Sequence, residues 1–441
     1  MKILLVCYDN CSYNPHFPLG IGYLASVLRN NNHEVYIYNQ DIHHYPEEHL
    51  TRLLNKVKFD VVCCGGVAGY YPYKKILKIS EAINKSTQRP RFILGGHMVS
   101  ADPQYFLNKT GCDVIVKGEG EVAILEALTS NEKVIEKSLI LDLDTIPSPA
   151  YDLFPIEVYR LRRPPNCQPE DFSMSVITGR GCGFNCHFCY RLTPGIRLRS
   201  IPNIIEEIKF LKRNYRINYI DFEDDLTMTS KARMNELCEA ILKNNLNIKW
   251  YCEGRLNFVD EEILNTMKSA GCVFINYGIE SLDNEVLKNM NKALTKDIII
   301  KGIELTKKVG ISAGLNIMFG NISDTLTTLR ESVEFLLKYD DHSQIRTISP
   351  VQCYPGCELF NTAIKKGLLK DIKEFYEIKH VNSDLLSVNF TDLTDQEIYR
   401  ALYMANFELL NNYYKSKIYG VEKQLKKLYI EHDSTFRGWR I

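Results

Sequence analysis

The chain has 441 residues, too many for one hydrophobic core, so two or three domains are expected. Its 45% hydrophobic and 24% charged residues are those of a globular protein, and 54 Lys and Arg offset 54 Asp and Glu, which excludes a whole-chain basic footprint for nucleic acid. The opening MKILLVCYDN lacks a signal-peptide pattern and no run of about eighteen apolar residues occurs, so a cytoplasmic protein with no membrane partner is expected. In that reducing compartment the 14 cysteines read as buried thiols or metal ligands rather than disulfides.

Residues 1–130 alternate short apolar runs with amphipathic stretches. KILLVCY, EVYIYN, FDVVCCGG, RFILGG and DVIVKG read as five buried strands. PLGIGYLASVLRNN, PEEHLTRLLNKVK, YPYKKILKISEAINK and ADPQYFLNK between them read as helices, which together predict a Rossmann-like, doubly wound parallel sheet. Cys7, Cys63 and Cys64 fall inside these strands and Cys238 on a later helical stretch; all four are expected as buried small hydrophobes. Three strands end in glycine, at Gly65-Gly66, Gly95-Gly96 and Gly118. Open α/β sheets bind ligands along that carboxyl edge, although tight turns alone also call for glycine.

Residues 131–172, with IPSPAYDLFP and RRPPNCQP, are proline-rich, lack periodicity and read as a linker. A second alternation occupies 173–366. SMSVITGR, INYIDFED, IKWYCEGR, CVFINYGIES, ISAGLNIMFG and IRTISPVQCYP give six strands, hence a partial (β/α)6 barrel open on one side. Residues 367–441 are helical and aromatic, as in DQEIYRALYMANFELLNNYYK, and read as a C-terminal helical cap.

Directly after the first barrel strand stands GRGCGFNCHFCYR, with Cys182, Cys186 and Cys189 inside eight positions. Structural zinc asks for four ligands, usually as two pairs. Here the one candidate fourth ligand, His187, would have to fold its ring back past its own backbone. A cubic iron–sulfur cluster accepts three thiolates on a tight loop and leaves one iron open to a small molecule.

C-x-x-x-C-x-x-C with an aromatic (Phe188) before the last cysteine, after the first strand of a partial barrel, resembles the radical S-adenosylmethionine (SAM) superfamily. The resemblance implies a [4Fe-4S] cluster on Cys182, Cys186 and Cys189, with SAM on the open iron. It also implies an electron donor such as flavodoxin or ferredoxin, and reductive cleavage to a 5′-deoxyadenosyl radical that takes hydrogen from a small-molecule or peptide substrate. For SAM it points to Phe188, to Glu223 and Asp224 in DFEDD, to Arg255 at the third strand end, and to Glu280 and Ser281 in GIES. Asp225 reads equally well as part of a helix N-cap cluster. CYPGC (353–357) departs from a family segment with threonine after the glycine. Cys357 is then an inert side chain, a redox partner of Cys353 or a hydrogen donor.

PLGIGYLASVLRNNNHEVYIYNQD, FDVVCCGG, ILGGH and VKGEGE, in that order, resemble the cobalamin-binding domains that precede such barrels. This implies a corrin over Gly65, Gly66, Gly95, Gly96, His97, Gly118, Glu119 and Gly120, together with the loop after the first strand. That loop lacks D-x-H-x-x-G, and the D-x-H at Asp41–His43 stands in the wrong place, so His43 reads as a surface histidine. The two resemblances imply a cobalamin-dependent radical SAM enzyme, foremost a methyltransferase acting on an unactivated centre. The alternatives are radical rearrangement, cyclisation or ring contraction without methyl transfer, and RNA modification, which the neutral charge disfavours.

Overall fold

The computed structural model describes residues 1–11 and 15–432. Six parallel strands, β1 (Lys2–Cys7), β2 (Glu34–Asn39), β3 (Val61–Gly65), β4 (Arg91–Gly95), β5 (Val114–Lys117) and β6 (Val134–Glu136), form a first sheet in the order β2-β1-β3-β4-β5-β6. The strand order reverses between β1 and β3, so the crevice that favours ligands opens at their carboxyl ends. The first five strands match the apolar runs read above. β6 lies in the stretch read as linker. Three residues are too short for a periodic signal, and pairing with β5 is what makes them a strand.

The rest of that stretch is packed. Tyr151 and Tyr159 are buried, Tyr151 donates to Glu207 Oε1 at 2.5 Å, and Asn39 Nδ2 donates to Tyr159 Oη at 2.9 Å. Prolines prevent a regular element here, while the aromatic rings between them fill the seam between the two sheets.

The second half holds β7 (Ser173–Val176), a two-stranded antiparallel ribbon of β8 (Gly179–Arg180) and β9 (Arg197–Leu198), and then β10 (Tyr219–Phe222), β11 (Lys249–Gly254), β12 (Cys272–Glu280), β13 (Ser312–Phe319) and β14 (Ile348–Pro350). Apart from the ribbon these six strands are parallel, in the order β14-β13-β12-β11-β10-β7, with helices such as Ile201–Tyr215, Lys231–Lys243 and Lys296–Val309 outside. β7 and β14 do not pair, so the barrel is partial. Alternation sorts its residues: Ile220, Phe222, Trp250, Cys252, Ile275 and Tyr277 join the core under the helices, and their neighbours in sequence face the lumen.

The C-terminal region does two jobs. Helix Asp395–Tyr429 packs on helix Leu326–Tyr339, and Asn406 pairs with both the N–H and the C=O of Ile348, closing the free edge of β14. Residues 351–390 double back onto the first domain, where Tyr376 stacks on Tyr73 of helix Tyr70–Asn84 at 4.7 Å beside Val351, Cys353 and Phe375. The aromatic, helical reading of this region therefore holds, but part of it packs on the helices of the first domain. Cys357 is buried, and its sulfur accepts from Phe360 N at the start of helix Glu358–Lys365. That is the capping duty a threonine performs, and it supports the inert reading. Cys7, Cys63, Cys64 and Cys238 are buried as expected. No helix among the described residues is long and apolar enough to cross a membrane.

Candidate active site

The cysteine loop is pinned at its base by the β8–β9 ribbon. Gly181 has φ +84°, and a Cβ there would lie 2.2 Å from Gly195 O, so only glycine lets the two arms of the loop approach. Cys189 N donates to Cys186 O at 3.2 Å, which turns the chain so that the thiols share one side. Desolvation in the loop pushes the Cys189 thiol up to about 11, although part of its surface reaches solvent, and the nearby Cys186, Asp225 and Cys182 add to the rise. Thiols that oppose one another's ionisation suit a bound cationic centre, which reverses that penalty. Among the described residues, the His, Cys, Asp and Glu ligand atoms meet within 4.8 Å in one group of three, His16, Asp221 and Glu223. The three sulfurs stand wider than a single tetrahedral ion requires, and wider spacing fits a cluster of several irons. His187 points away: its Nδ1 donates to Asn289 O at 2.8 Å and its N–H to Met290 O at 2.9 Å, which ties the loop to the barrel.

Arg255 closes the site from β11. It is 5% exposed, its guanidinium lies over the Phe184 ring at 3.4 Å, Nη1 stands 3.8 Å from Cys186 Sγ, and Nε donates to Asn257 Oδ1 at 3.0 Å. Nη2 is buried without a partner. An orphaned guanidinium arm beside a thiol of the cysteine loop fits the carboxylate of SAM.

The other expected SAM contacts divide. Asp224 is fully engaged by Thr178 N, Thr178 Oγ1 and Gly179 N at 2.7, 2.7 and 3.0 Å, so its carboxylate holds the turn after β7. Asp225 accepts from Gly181 N at 2.9 Å and faces the cysteine loop. It caps no helix, since Ser230 caps Lys231–Lys243. Glu223 accepts from His16 Nδ1 at 2.8 Å, a link from the first domain to the barrel mouth. Burial opposes its charge, yet His16, Asp221 and Arg162 hold its carboxyl down to about 2. Glu280 has φ +70° and pairs with Lys292 Nζ at 2.8 Å, and that ammonium lies 5.6 Å from the Phe188 ring. The buried Ser281 Oγ accepts from Asp283 N at 3.1 Å.

Between the carboxyl edge of the first sheet and the cysteine loop lies a mostly apolar cavity of about 630 Å³. Gly65, Gly66, Gly95, Gly96, His97, Gly118, Glu119 and Gly120 all line it, and Arg180, Gly181, Thr193 and Asp225 face them from the barrel. Gly96, at φ +96°, comes so close to Gly66 that a Cβ would lie 2.8 Å from Gly66 O; the floor is flat because no side chain fits there. A broad, flat, apolar slot with polar groups at its rim suits a corrin ring. From the loop after β1, Asn10, His16 and Phe17 reach the cavity, while Ser12–Asn14 lie outside the described residues.

Glu119 lines the wall, but its carboxylate is spent on Arg180 Nη1 and Arg197 Nη1 at 2.9 and 2.7 Å and on Ile140 N at 3.0 Å. This buried network ties the first sheet to the ribbon. His97 Nε2 donates to Tyr190 O at 3.2 Å, and burial holds its imidazole below the ordinary range, hence neutral. His43 is exposed, as expected.

The sequence reading missed the polar lumen. Asp221, Glu223, Glu253 and Asn276 come together there with Arg162, which arrives from the linker to contact Asp221 and Glu223. The alternation of polar with apolar residues in YIDFE and WYCEG was the available signal. Arg162, in a proline-rich stretch, carried none.

The B12 binding domain family matches residues 6–128, and the Radical SAM superfamily matches residues 176–336. An uncharacterized methyltransferase of Pyrococcus horikoshii is 29% identical over 404 residues, 84% of this chain and 85% of that one. The anaerobic magnesium-protoporphyrin IX monomethyl ester cyclase of Rubrivivax gelatinosus is 24% identical, over 71% of this chain and 61% of that one. In fold, the chain resembles the radical S-adenosylmethionine methyltransferase TsrM from Kitasatospora setae, solved with cobalamin and a [4Fe-4S] cluster bound. The TM-score is 0.71 at 17% identity, over 92% of this chain and 90% of that one. The chain thus carries a B12 binding domain followed by a Radical SAM domain, with the cysteine loop at the start of the second, and its fold is that of a cobalamin-dependent radical SAM methyltransferase.

Proposed function

We propose that the chain transfers a methyl group to an unactivated carbon or phosphorus centre of a small molecule or peptide. The observation that carries this reading is the cavity of about 630 Å³ that the glycine edge of the first sheet shares with the cysteine loop. When bound, the cluster and SAM supply one-electron chemistry and the corrin supplies the methyl group, while the protein contributes position and exclusion of water. Cys182, Cys186 and Cys189 hold the cluster. The unpartnered Nη2 of Arg255 supports its holding the SAM carboxylate, and the Lys292–Glu280 pair lies near Phe188 on the same rim. Glu119, Arg180 and Arg197 keep the two domains in register across the cavity. Cys189, exposed at the loop edge, supports electron delivery there by a carrier such as flavodoxin or ferredoxin.

Anaerobic purification from cells supplied with cobalamin tests the reading. About four irons with one corrin per chain are expected, and Cys186→Ala should lose the iron and SAM cleavage together. A full cluster without corrin would refute methyl transfer and leave hydrogen abstraction leading to cyclisation or rearrangement.

A further inference from the structure

The barrel lumen contains a carboxylate that no cation among the described residues answers. Glu253 on β11 faces inward opposite Asn276 on β12, whose Nδ2 donates to both carboxylate oxygens at 3.1 and 3.0 Å. Asn316 on β13 donates in turn to Asn276 Oδ1 at 2.9 Å, so an amide relay ends on the acid. Asn316 is solvent-exposed although it lies within a central strand, which shows that the lumen is open beneath the cysteine loop. No lysine, arginine or histidine pairs with Glu253 among the described residues. Burial pushes its carboxyl up to about 7 with help from the charges of Glu223, Asp224 and Glu280, although the Asn276 amide works against the rise.

A second observation points the same way. Asp221 is 0% exposed, one of its oxygens meets Arg162, and burial together with the adjacent Glu223 pushes its carboxyl well above the ordinary range, the mark of crowded acids. The lumen thus gathers Asp221, Glu223 and Glu253 around one guanidinium and the His16 ring, and among the described residues Glu253 is the acid left without a counter-charge. A neutral hydroxyl would leave that charge uncompensated. A divalent metal would want several hard oxygen ligands in one tight shell; the group that approaches this, His16, Asp221 and Glu223, already has the Arg162 guanidinium beside it.

We infer that Glu253 is a substrate-anchoring residue and that the methyl acceptor carries a cationic nitrogen, an ammonium or guanidinium, which docks on Glu253 and the Asn276–Asn316 amides. The inference rests on the methyl-transfer reading for the word acceptor, but the binding site stands on the lumen alone. Arg255 lies two residues further towards the carboxyl rim, level with Cys186, so the nitrogen in question belongs to a molecule deeper than SAM.

The test uses anaerobically reconstituted full-length enzyme and two matched probe sets: phenethylamine, 2-phenylethanol and phenylacetate; and agmatine, 1,4-butanediol and succinate. Binding is read by equilibrium dialysis. The amine and guanidine should bind at least tenfold better than their partners. Glu253→Gln should lose at least fivefold of that preference while SAM affinity stays within twofold of wild type. Asn316→Lys, which supplies an ammonium from the chain itself, should abolish the preference in a protein with wild-type iron content. Amines that bind no better than alcohols and carboxylates, or equally well to Glu253→Gln, overturn the proposal. If Glu253→Gln weakens SAM instead, the cation is SAM's own ammonium and the substrate assignment falls. Missing corrin would sink methyl transfer without touching this result.

Discussion

Arg255 offers the sharpest test of how the rim of the barrel meets SAM. Its guanidinium is 5% exposed and stacked on Phe184, with Nε spent on Asn257 and Nη1 near Cys186 Sγ; the buried Nη2 has nothing to donate to. In Arg255→Lys the positive charge near the thiols remains, but the planar fork and its second arm are lost. A hydrogen bond between charged groups contributes about 1.5–3 kcal/mol, which at about 1.4 kcal/mol per decade is a roughly 10- to 150-fold weaker SAM Kd. Calorimetric titration of SAM into anaerobically reconstituted protein reads this directly. Iron and sulfide should stay at wild-type content, because no arm of Arg255 ligates the cluster. A SAM Kd within twofold of wild type at full iron content would refute the assignment of the free arm.

Two further outcomes concern the scaffold. His380 is 0% exposed, neither ring nitrogen has a partner, and burial holds its pKa down to about 4 from 6.5. The unfolded chain therefore binds a proton that the native state refuses between those values. The stability involved is fully present above about pH 6.5 and is lost as pH falls towards 4. Wild type should lose about 2 kcal/mol more than His380→Phe between pH 7 and pH 5, measured by urea unfolding; parallel losses would count against the buried neutral histidine. Glu119→Ala leaves Arg180 and Arg197 without their shared carboxylate and should cost about 3–5 kcal/mol, as breaking one side of a buried ion pair does. A change below about 1 kcal/mol in guanidinium unfolding would mean that the domains are held together elsewhere.

Local pattern was enough for much of this molecule. Eleven of the strands that build the two sheets announce themselves as short runs rich in apolar residues, because a strand must be apolar on each face that it buries in the core. The cysteine loop is legible for a related reason: ligands for one cluster must lie close together, and a short loop brings them together within one stretch of sequence. Tertiary structure alone decided what lies between distant segments. β6 exists because β5 offers it an edge, and residues 351–390 find their partners on the helices Tyr70–Asn84 and Pro103–Thr110 that cover the first sheet. The acid run DFEDD shows the limit most plainly. Its last three acids look equivalent in sequence, yet Glu223 answers His16 from the other domain, Asp224 holds the turn after β7, and Asp225 faces the cysteines. A side chain's partner is set by the direction in which its strand end leaves the sheet, and the neighbours it meets there lie tens to hundreds of residues away.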